Sequence, residues 1–392
     1  MHYKSHIAVT CLLLLPFLQV LLGCSHKIQD DYVDRLDSLA NSDPEAALRE
    51  INKFSKGAGE YMARDRMRIE LVKYKAEDKC YIVHNVDTTI RTLTNYFQHH
   101  GSTYERLLCS YYMGSTYRDM KKYPLSVIWY EKTIELAESE ELSARDSFVL
   151  ALAHSQIADV LYKIGDKHEA LHQEVLSYNI QHKIGTANFV TMEDLGRFYE
   201  NVGQVDSAAK FYHKALMSIL NQGKAPEYVD YLGEQLYFYT SNNKMQNAEL
   251  LFDIIKHHKI PDAASNVYTA IAYYYSKKNL PDSTLKYMTH ALNLEKRFIV
   301  KAKLSRSLAR IWADKRNSNL ANKYAMRSLA LYDSADIETN ASGVVNARNQ
   351  MILTQLQKAK AQKKDTERQN IIYLSFLIIA LLLLVAIIFI FP

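Results

Sequence analysis

Glycine and proline are both scarce, 12 and 7 residues in a chain of 392. So few helix breakers exclude a chain cut by frequent tight turns and point to an all-α protein. Cysteine is also rare, four in all. Cys11 and Cys24 belong to an N-terminal apolar run, which leaves Cys80 and Cys109 for the globular part. Neither has CxxC or His-linked spacing around it, so no metal-ligand pattern is present and both read as small buried apolar residues. A disulfide between them stays open if the domain is exported. The sequence has no P-loop, no dinucleotide fingerprint and no G-x-S-x-G element, and so no catalytic or cofactor-binding residue to assign. Charge is not massed in one place either. The net +5 comes from Lys and Arg spread along the chain, which reads as solvated helix faces and not as a nucleic-acid footprint.

Hydrophobic residues are plentiful, 48% of the chain, enough for a sizeable core. Tyrosine is high at 28. A fold that places an aromatic at a fixed point of each repeat accounts for that excess.

Both ends carry membrane signals. A short polar start with Lys4 precedes an apolar run from Ile7 to Leu22, which closes on Leu21-Leu22-Gly23-Cys24. This resembles a bacterial lipoprotein signal peptide over residues 1–23, and the resemblance implies lipidation of Cys24. At the other end, residues 371–391 form an uncharged apolar run. About 21 residues at 1.5 Å each reach roughly 30 Å, the thickness of the hydrocarbon core, so a transmembrane helix is expected there. Lys358, Lys360, Lys363, Lys364 and Arg368 precede it. Basic flanks prefer the cytoplasm, whereas the N-terminal signal directs export. A longer parent chain with its own basic residues after the span reconciles the two. Export is the reading favoured, with the folded part on the periplasmic side of a bacterial inner membrane.

Between the ends a pattern recurs. Its clearest copy is Leu195-Gly196-Arg197-Phe198-Tyr199, followed by Gly203, Ala208, Tyr212 and Ala215. A small residue at Gly196 or Ala208 lets two helices approach, an aromatic fills the space beside it, and Gly203 serves the turn. Further copies are Met113, Gly114, Tyr117, Ser126, Tyr130 and Thr133; Ile157, Ala158, Leu161, Gly165 and Ala170; Leu236, Tyr239, Ala248 and Phe252; Ile271, Ala272, Tyr275, Thr284 and Ala291; and Leu308, Ala309, Trp312 and Ala321. Glu174 and Ala325 stand where the pattern would place an aromatic. These residues resemble the tetratricopeptide repeat (TPR) over residues 103–335. The resemblance implies an all-α solenoid of antiparallel helix pairs.

Residues 31–100 read as helical but less repeat-like, a cap on the array. Asp43-Pro44-Glu45 marks a helix start, followed by an apolar stripe of Ala47, Ile51 and Phe54. Residues 60–76 and 86–99 suggest another pair. Residues 343–370 read as one charged stalk helix leading into the span, a candidate contact for a homodimer or coiled coil.

One enzyme-like motif occurs, His168-Glu169-Ala170-Leu171-His172. H-E-x-x-H on a helix puts two histidines on one face, where they can hold zinc. In the repeat frame, however, Ala170 is the packing residue and both histidines fall on an exposed side, with only Glu193 as a distant third ligand. No metal site is therefore assigned. The doublets His99-His100 and His257-His258 read as helix-end residues.

In a TPR array the first helix of each pair lines the concave face. The repeat frame then points Tyr111, Ser115, Arg118, Asp159, Tyr162, Glu193, Arg197, Glu200, Tyr237, Thr240, Tyr273, Ser276, Lys303, Arg306 and Arg310 into a groove for a protein or peptide partner. Lys303, Arg306 and Arg310 form a basic end suited to an acidic or C-terminal carboxylate group. The layout resembles bacterial membrane-anchored TPR sensor-regulators, here without a cytoplasmic output module. It implies a non-enzymatic interaction module that senses a partner for a signalling receptor. The alternative is an envelope assembly scaffold without signalling output.

Overall fold

The computed structural model describes residues 30–54, 62–223, 228–258, 264–334 and 362–379. The expected signal peptide, Cys24, most of the stalk and residues 380–391 of the apolar run lie outside the described residues. Among the described residues the structure is helical, with no strand. None of these helices is long and apolar enough to cross a membrane.

The chain divides into two compact units. The first takes in residues up to Val160 together with Asn179–Gly185, the second Leu161–Tyr178 and Thr186 onward. The first unit holds α1 (Asp30–Ser42), α2 (Pro44–Phe54), α3 (Ala63–Lys79), α4 (Thr88–His100), α5 (Thr103–Asp119), α6 (Tyr123–Glu138) and most of α7 (Ala144–Ile164). The second holds most of α8 (Lys167–Lys183), then α9 (Phe189–Asn201), α10 (Val205–Asn221), α11 (Val229–Ser241), α12 (Met245–Lys256), α13 (Ser265–Lys277), α14 (Pro281–Leu294), α15 (Phe298–Asp314), α16 (318–334) and α17 (362–379). Within each unit a helix packs on its successor, as α5 on α6, α9 on α10 and α13 on α14. First helices also pack on the next first helix, as α1 on α3 and α11 on α13.

Local chemistry starts and stops these helices. Asp43 accepts the Ala46 amide at 2.8 Å just ahead of Pro44, as the Asp-Pro-Glu pattern predicts. Ser102 and Glu105 form a reciprocal capping box on α5. Each first helix from α5 to α15 ends the same way. Lys121, Gly165, Gly203, Asn243, Asn279 and Arg316 take positive φ. The next residue donates its N–H back to Tyr117, Leu161, Tyr199, Tyr239, Tyr275 or Trp312 at 2.8 to 3.0 Å. This is the Schellman closure, repeated at intervals of 36 to 44 residues. The accepting carbonyls belong to the residues that carry the repeat signature in the sequence.

The same closure ends α3. Tyr81 has φ 58 and Ile82 donates to the Glu77 carbonyl at 3.0 Å. The α3–α4 pair is therefore built on the turn of a repeat. Its sequence hides this, because Tyr74 stands at the register position that Gly114 holds in the next unit.

The small-residue rule has direct geometric support. A Cβ on Gly114 would lie 2.5 Å from the Tyr130 ring, and one on Gly196 would lie 2.8 Å from Tyr212. Ser126, Ala170, Ala208 and Ala248 on the second helices are all fully buried. The two described cysteines, Cys80 and Cys109, are free thiols and not a disulfide.

Candidate functional site

In the first unit, α1, α3, α5 and α7 bring charged side chains to one face. Asp37 sits in the apolar stripe of α1 between Val33, Leu36 and Ala40, and is 3% exposed. Its carboxylate accepts three donors from three helices: Lys75 Nζ at 2.9 Å, Tyr104 OH at 3.0 Å and the Arg145 guanidinium at 2.7 Å. Lys75 also donates to the Tyr104 hydroxyl at 3.1 Å. The Arg145 guanidinium lies 3.6 Å from the Tyr104 ring centroid, a cation–π stack that fixes its plane. Burial lowers the Lys75 pKa and Asp37 opposes that shift. Burial also pushes the Tyr104 phenol well above its ordinary range, with Asp37 adding to the effect.

Beside this cluster lies a cavity of about 310 Å³, lined by residues of α1, α3, α5 and α7 with Ser102 at the cap. Arg64, Arg68, Arg145, Asp34 and Glu105 give it charge, and Val33, Leu71, Val72 and Leu108 give it an apolar wall. Sequence reasoning missed this site. The only local signal was a carboxylate, Asp37, inside an apolar stripe.

In the same unit Arg118 is half-buried and bound to Asp119 at 2.9 Å, to Asp78 at 3.3 Å and to Gln156. Burial raises the Asp78 carboxyl, and the Arg118 charge opposes it. Tyr111, expected in the groove, is 5% exposed. Its ring meets Tyr112 edge-on at 5.0 Å and Tyr130 at 5.5 Å. Every residue of α5 from Leu107 to Tyr117 is buried, so this stretch presents no open face. Ser115 is buried with them and bonds the Tyr130 hydroxyl at 3.2 Å. Asp159 is half-buried.

In the second unit the first helices again meet along one side. Tyr162 packs edge-on against Phe198, and Arg197 lies over that ring while pairing with Asp194 at 3.0 Å. Tyr237 and Tyr273 meet at right angles, with centroids 5.0 Å apart. Lys303, Arg306 and Arg310 are all exposed on α15, and the i, i+3, i+7 spacing puts them on one stripe. None of the three has an ion-pair partner among the described residues.

Glu193 departs from its expected place. It is 2% exposed and accepts the Gln235 amide at 2.6 Å. Its Oε1 and the Gln235 Oε1 are both buried without a partner among the described residues. Burial pushes the Glu193 carboxyl well above its ordinary range, and the charges of Glu234 and Asp194 add to this while Gln235 and Arg197 oppose it. A neutral Glu193 carries the O–H that an acid–amide pair with Gln235 requires. The unfolded acid loses its proton near 4.5 and the folded one at higher pH, so the folded state holds the extra proton in between and stability falls as pH rises through that window. Glu193→Gln is expected to raise stability near pH 8 by about 1 kcal/mol and to remove this slope. Urea titrations at pH 4, 6 and 8 check it; a variant less stable than wild type at pH 8 would overturn the neutral assignment.

His168 and His172 are exposed at the start of α8, and Glu169 accepts from Gln173 at 2.8 Å. No group of three or more potential metal ligands forms among the described residues. The doublets His99-His100 and His257-His258 fall at the C-terminal ends of α4 and α12.

No protein-family model matches the chain, and no curated protein matches it. Solved structures do. A chain of the APC/C hetero-tetramer Cut9-Hcn1 aligns with TM-score 0.51 at 12% identity, covering 78% of this chain and 52% of that one. This chain thus spans about half the length of that relative. The apo form of RapI aligns with TM-score 0.52 at 13% identity, covering 86% of this chain and 95% of RapI. A Rap protein complexed with competence and sporulation factor aligns with TM-score 0.51 at 13% identity, covering 84% and 98%. The fold is a tetratricopeptide-type helical repeat. The TPR frame explains the common helix ending, the glycine–tyrosine contacts and the meeting of successive first helices within each unit.

Proposed function

We propose that this TPR chain is a protein- or peptide-binding module held at a membrane, the sensing part of a signalling or regulatory receptor. The observation that carries the reading is the exposed stripe Lys303, Arg306 and Arg310 on a first helix of the second unit. Three cations without ion-pair partners among the described residues, on one face, suit an acidic partner segment. The aromatic pair Tyr237–Tyr273 on neighbouring first helices adds ring surface for side chains. The Rap protein solved with competence and sporulation factor shares the fold, which lends support by analogy.

The membrane part rests on the apolar run 371–391. The described stretch Ile371–Ile379 belongs to a helix and exposes Ile371, Tyr373, Leu374, Phe376 and Leu377 at 60 to 71%. Such a surface suits lipid. The Gly23-Cys24 signal supports export and lipid attachment, which would put the TPR units outside the inner membrane. Carbonate-resistant pelleting, and activity from alkaline phosphatase fused before Asn370, are the expected results. A fusion active only as a cytoplasmic reporter would reverse the orientation.

For the binding surface, Arg306→Glu with Arg310→Glu is expected to weaken an acidic peptide's binding at least about 100-fold with thermal unfolding unchanged. Fluorescence anisotropy with an acidic peptide panel and neutral controls reads this. Unaltered affinity in the double variant would remove α15 from the site.

A further inference from the structure

We propose that the turn between α3 and α4 in the first unit is a further membrane contact, whose apolar tip, residues 81–86, enters an anionic lipid surface beside Lys121 and Lys122. The inference rests on the membrane reading above for bringing a bilayer near. Cys24 precedes Asp30, the first residue of α1, by six residues, about 20 Å of extended chain. A lipid on Cys24 therefore keeps the first unit within reach of the bilayer.

Three observations carry this. First, the tip is apolar and has no role inside the fold. Tyr81 is 92% exposed, Val86 65%, Val83 59% and Ile82 45%. Single exposed apolar residues are ordinary, but four within six residues mark a contact surface. The Tyr81 hydroxyl has no hydrogen-bond partner, and its ring no aromatic or cation partner, among the described residues. Its φ of 58 is the left-handed turn position that Gly165, Gly203, Asn243 and Asn279 fill in later repeats. A Cβ makes that conformation costly. Neither backbone nor packing calls for a tyrosine there, so its place is explained by what it meets outside the fold.

Second, the tip is held out on fixed feet. Ile82 donates to the Glu77 carbonyl at the end of α3. His84 turns inward: its ring stacks on Tyr74 with centroids 4.0 Å apart, and its amide donates to Asp119 at 3.5 Å. Asp87 accepts the Tyr117 hydroxyl at 2.7 Å and pairs with Arg91. With both feet tied to α3 and α5, the apolar side chains lose little freedom on insertion.

Third, charge favours anionic lipid. Lys121 and Lys122 are exposed at the α5–α6 turn and have no ion-pair partner among the described residues. Lys122 Nζ lies 6.0 Å from the centre of the Tyr117 ring, whose hydroxyl holds Asp87. The carboxylates around the tip are answered within the fold: Glu77 by Lys73, Asp78 and Asp119 by Arg118, Asp87 by Arg91. Exposed Asp43 and Glu45 act on Cys80 from the α1–α2 turn, so the attraction comes from the α5 side. A tyrosine and aliphatic groups with lysines beside them match a bilayer. The apolar groups enter the acyl boundary and the ammonium groups meet headgroup phosphates. Beyond Asn85 and the Tyr81 hydroxyl, the tip presents no side-chain hydrogen-bonding group to fix a protein partner's register, and a fluid surface needs none.

The test uses the full chain with Trp129→Phe and Trp312→Phe, so that Tyr81→Trp supplies the one indole. It is reconstituted into vesicles of phosphatidylcholine alone, or of equimolar phosphatidylcholine and phosphatidylglycerol, carrying lipid brominated on the acyl chains. The indole is expected to be quenched strongly on the anionic vesicles and weakly on the neutral ones. A chain that keeps Trp129 alone is expected to show no quenching. Lys121→Gln with Lys122→Gln is expected to lower the bound-to-free ratio of the tip about 30-fold. Circular dichroism melts confirm that the variants fold. Carbonate-resistant pelleting reads the anchor separately. A chain that pellets with its indole unquenched overturns this inference alone and leaves the tip to a protein partner. A chain that carbonate strips, but whose indole is quenched at neutral pH, upholds this inference and overturns the anchor. Quenching that ignores phosphatidylglycerol or the two lysines also overturns it.

Discussion

Asp37→Ala is expected to destabilise the first unit by about 3 to 5 kcal/mol, the cost of leaving buried charges without their partner. The carboxylate is the common acceptor for Lys75, Tyr104 and Arg145. Lys75 is 4% exposed. Burial already lowers its pKa while Asp37 opposes that shift, so removing Asp37 drives Lys75 toward the neutral amine. Arg145 cannot follow that route and would keep its charge, half-exposed on the Tyr104 ring, without the Asp37 acceptor. Asp37→Asn keeps the shape and one acceptor oxygen, and is expected to cost less than alanine. The chain has two tryptophans, Trp129 on α6 in the first unit and Trp312 on α15 in the second. Urea unfolding of Trp312→Phe and Trp129→Phe backgrounds therefore reads the two units separately. An Asp37→Ala loss below 1 kcal/mol in the Trp129 signal would mean that the cluster is not a buried charge network.

The second large effect concerns helix spacing. Gly114→Val is expected to cost the first unit about 3 kcal/mol, from overpacking. Even one Cβ would fall 2.5 Å from two carbons of the Tyr130 ring. Tyr130 is fully buried and its hydroxyl meets Ser115 at 3.2 Å, so the ring has nowhere to retreat. Helix propensity acts the other way, since glycine inside a helix is itself unfavourable by about 1 kcal/mol. The overpacking term is larger, and sterics decide the sign. Gly203→Ala separates the two roles of glycine in the repeat. A Cβ there meets nothing within 4 Å, but φ is +79, so its cost is conformational, about 1 to 2 kcal/mol. Replacing Tyr130 by Leu in the Gly114→Val background is expected to recover part of the loss, because the two residues share one space. If Gly114→Val melts with wild type, the close packing of α5 on α6 is not set at this contact.

The repeat architecture was legible because its determinants are local. A small residue, an aromatic three or four positions away and a left-handed residue at the turn all lie within one helix pair, where 3.6-residue periodicity converts spacing into a shared face. Gly114, Gly196, Gly203 and Tyr212 announce this in the linear chain. The α3–α4 pair was legible as two helices but not as a repeat, because Tyr74 replaces the small residue while the turn at Tyr81 keeps the repeat geometry. Backbone closure can persist when the side-chain signature is gone.

The inner faces were only half legible. Lys303, Arg306 and Arg310 follow from helical periodicity and are exposed on one stripe. Tyr111 and Glu193 follow from the same periodicity, yet both are buried. Their exposure depends on what neighbouring helices place over them: Tyr112 and Tyr130 around Tyr111, Gln235 beside Glu193. The sequence by itself determined the helices, their pairing and the common way in which first helices end, since each rests on interactions between residues a few positions apart. Only the tertiary structure decided that Asp37, Lys75, Tyr104 and Arg145 form one cluster. They come from four helices spread over 108 residues of chain, and burial and electrostatic partnership depend on proximity in space, which no local spacing encodes.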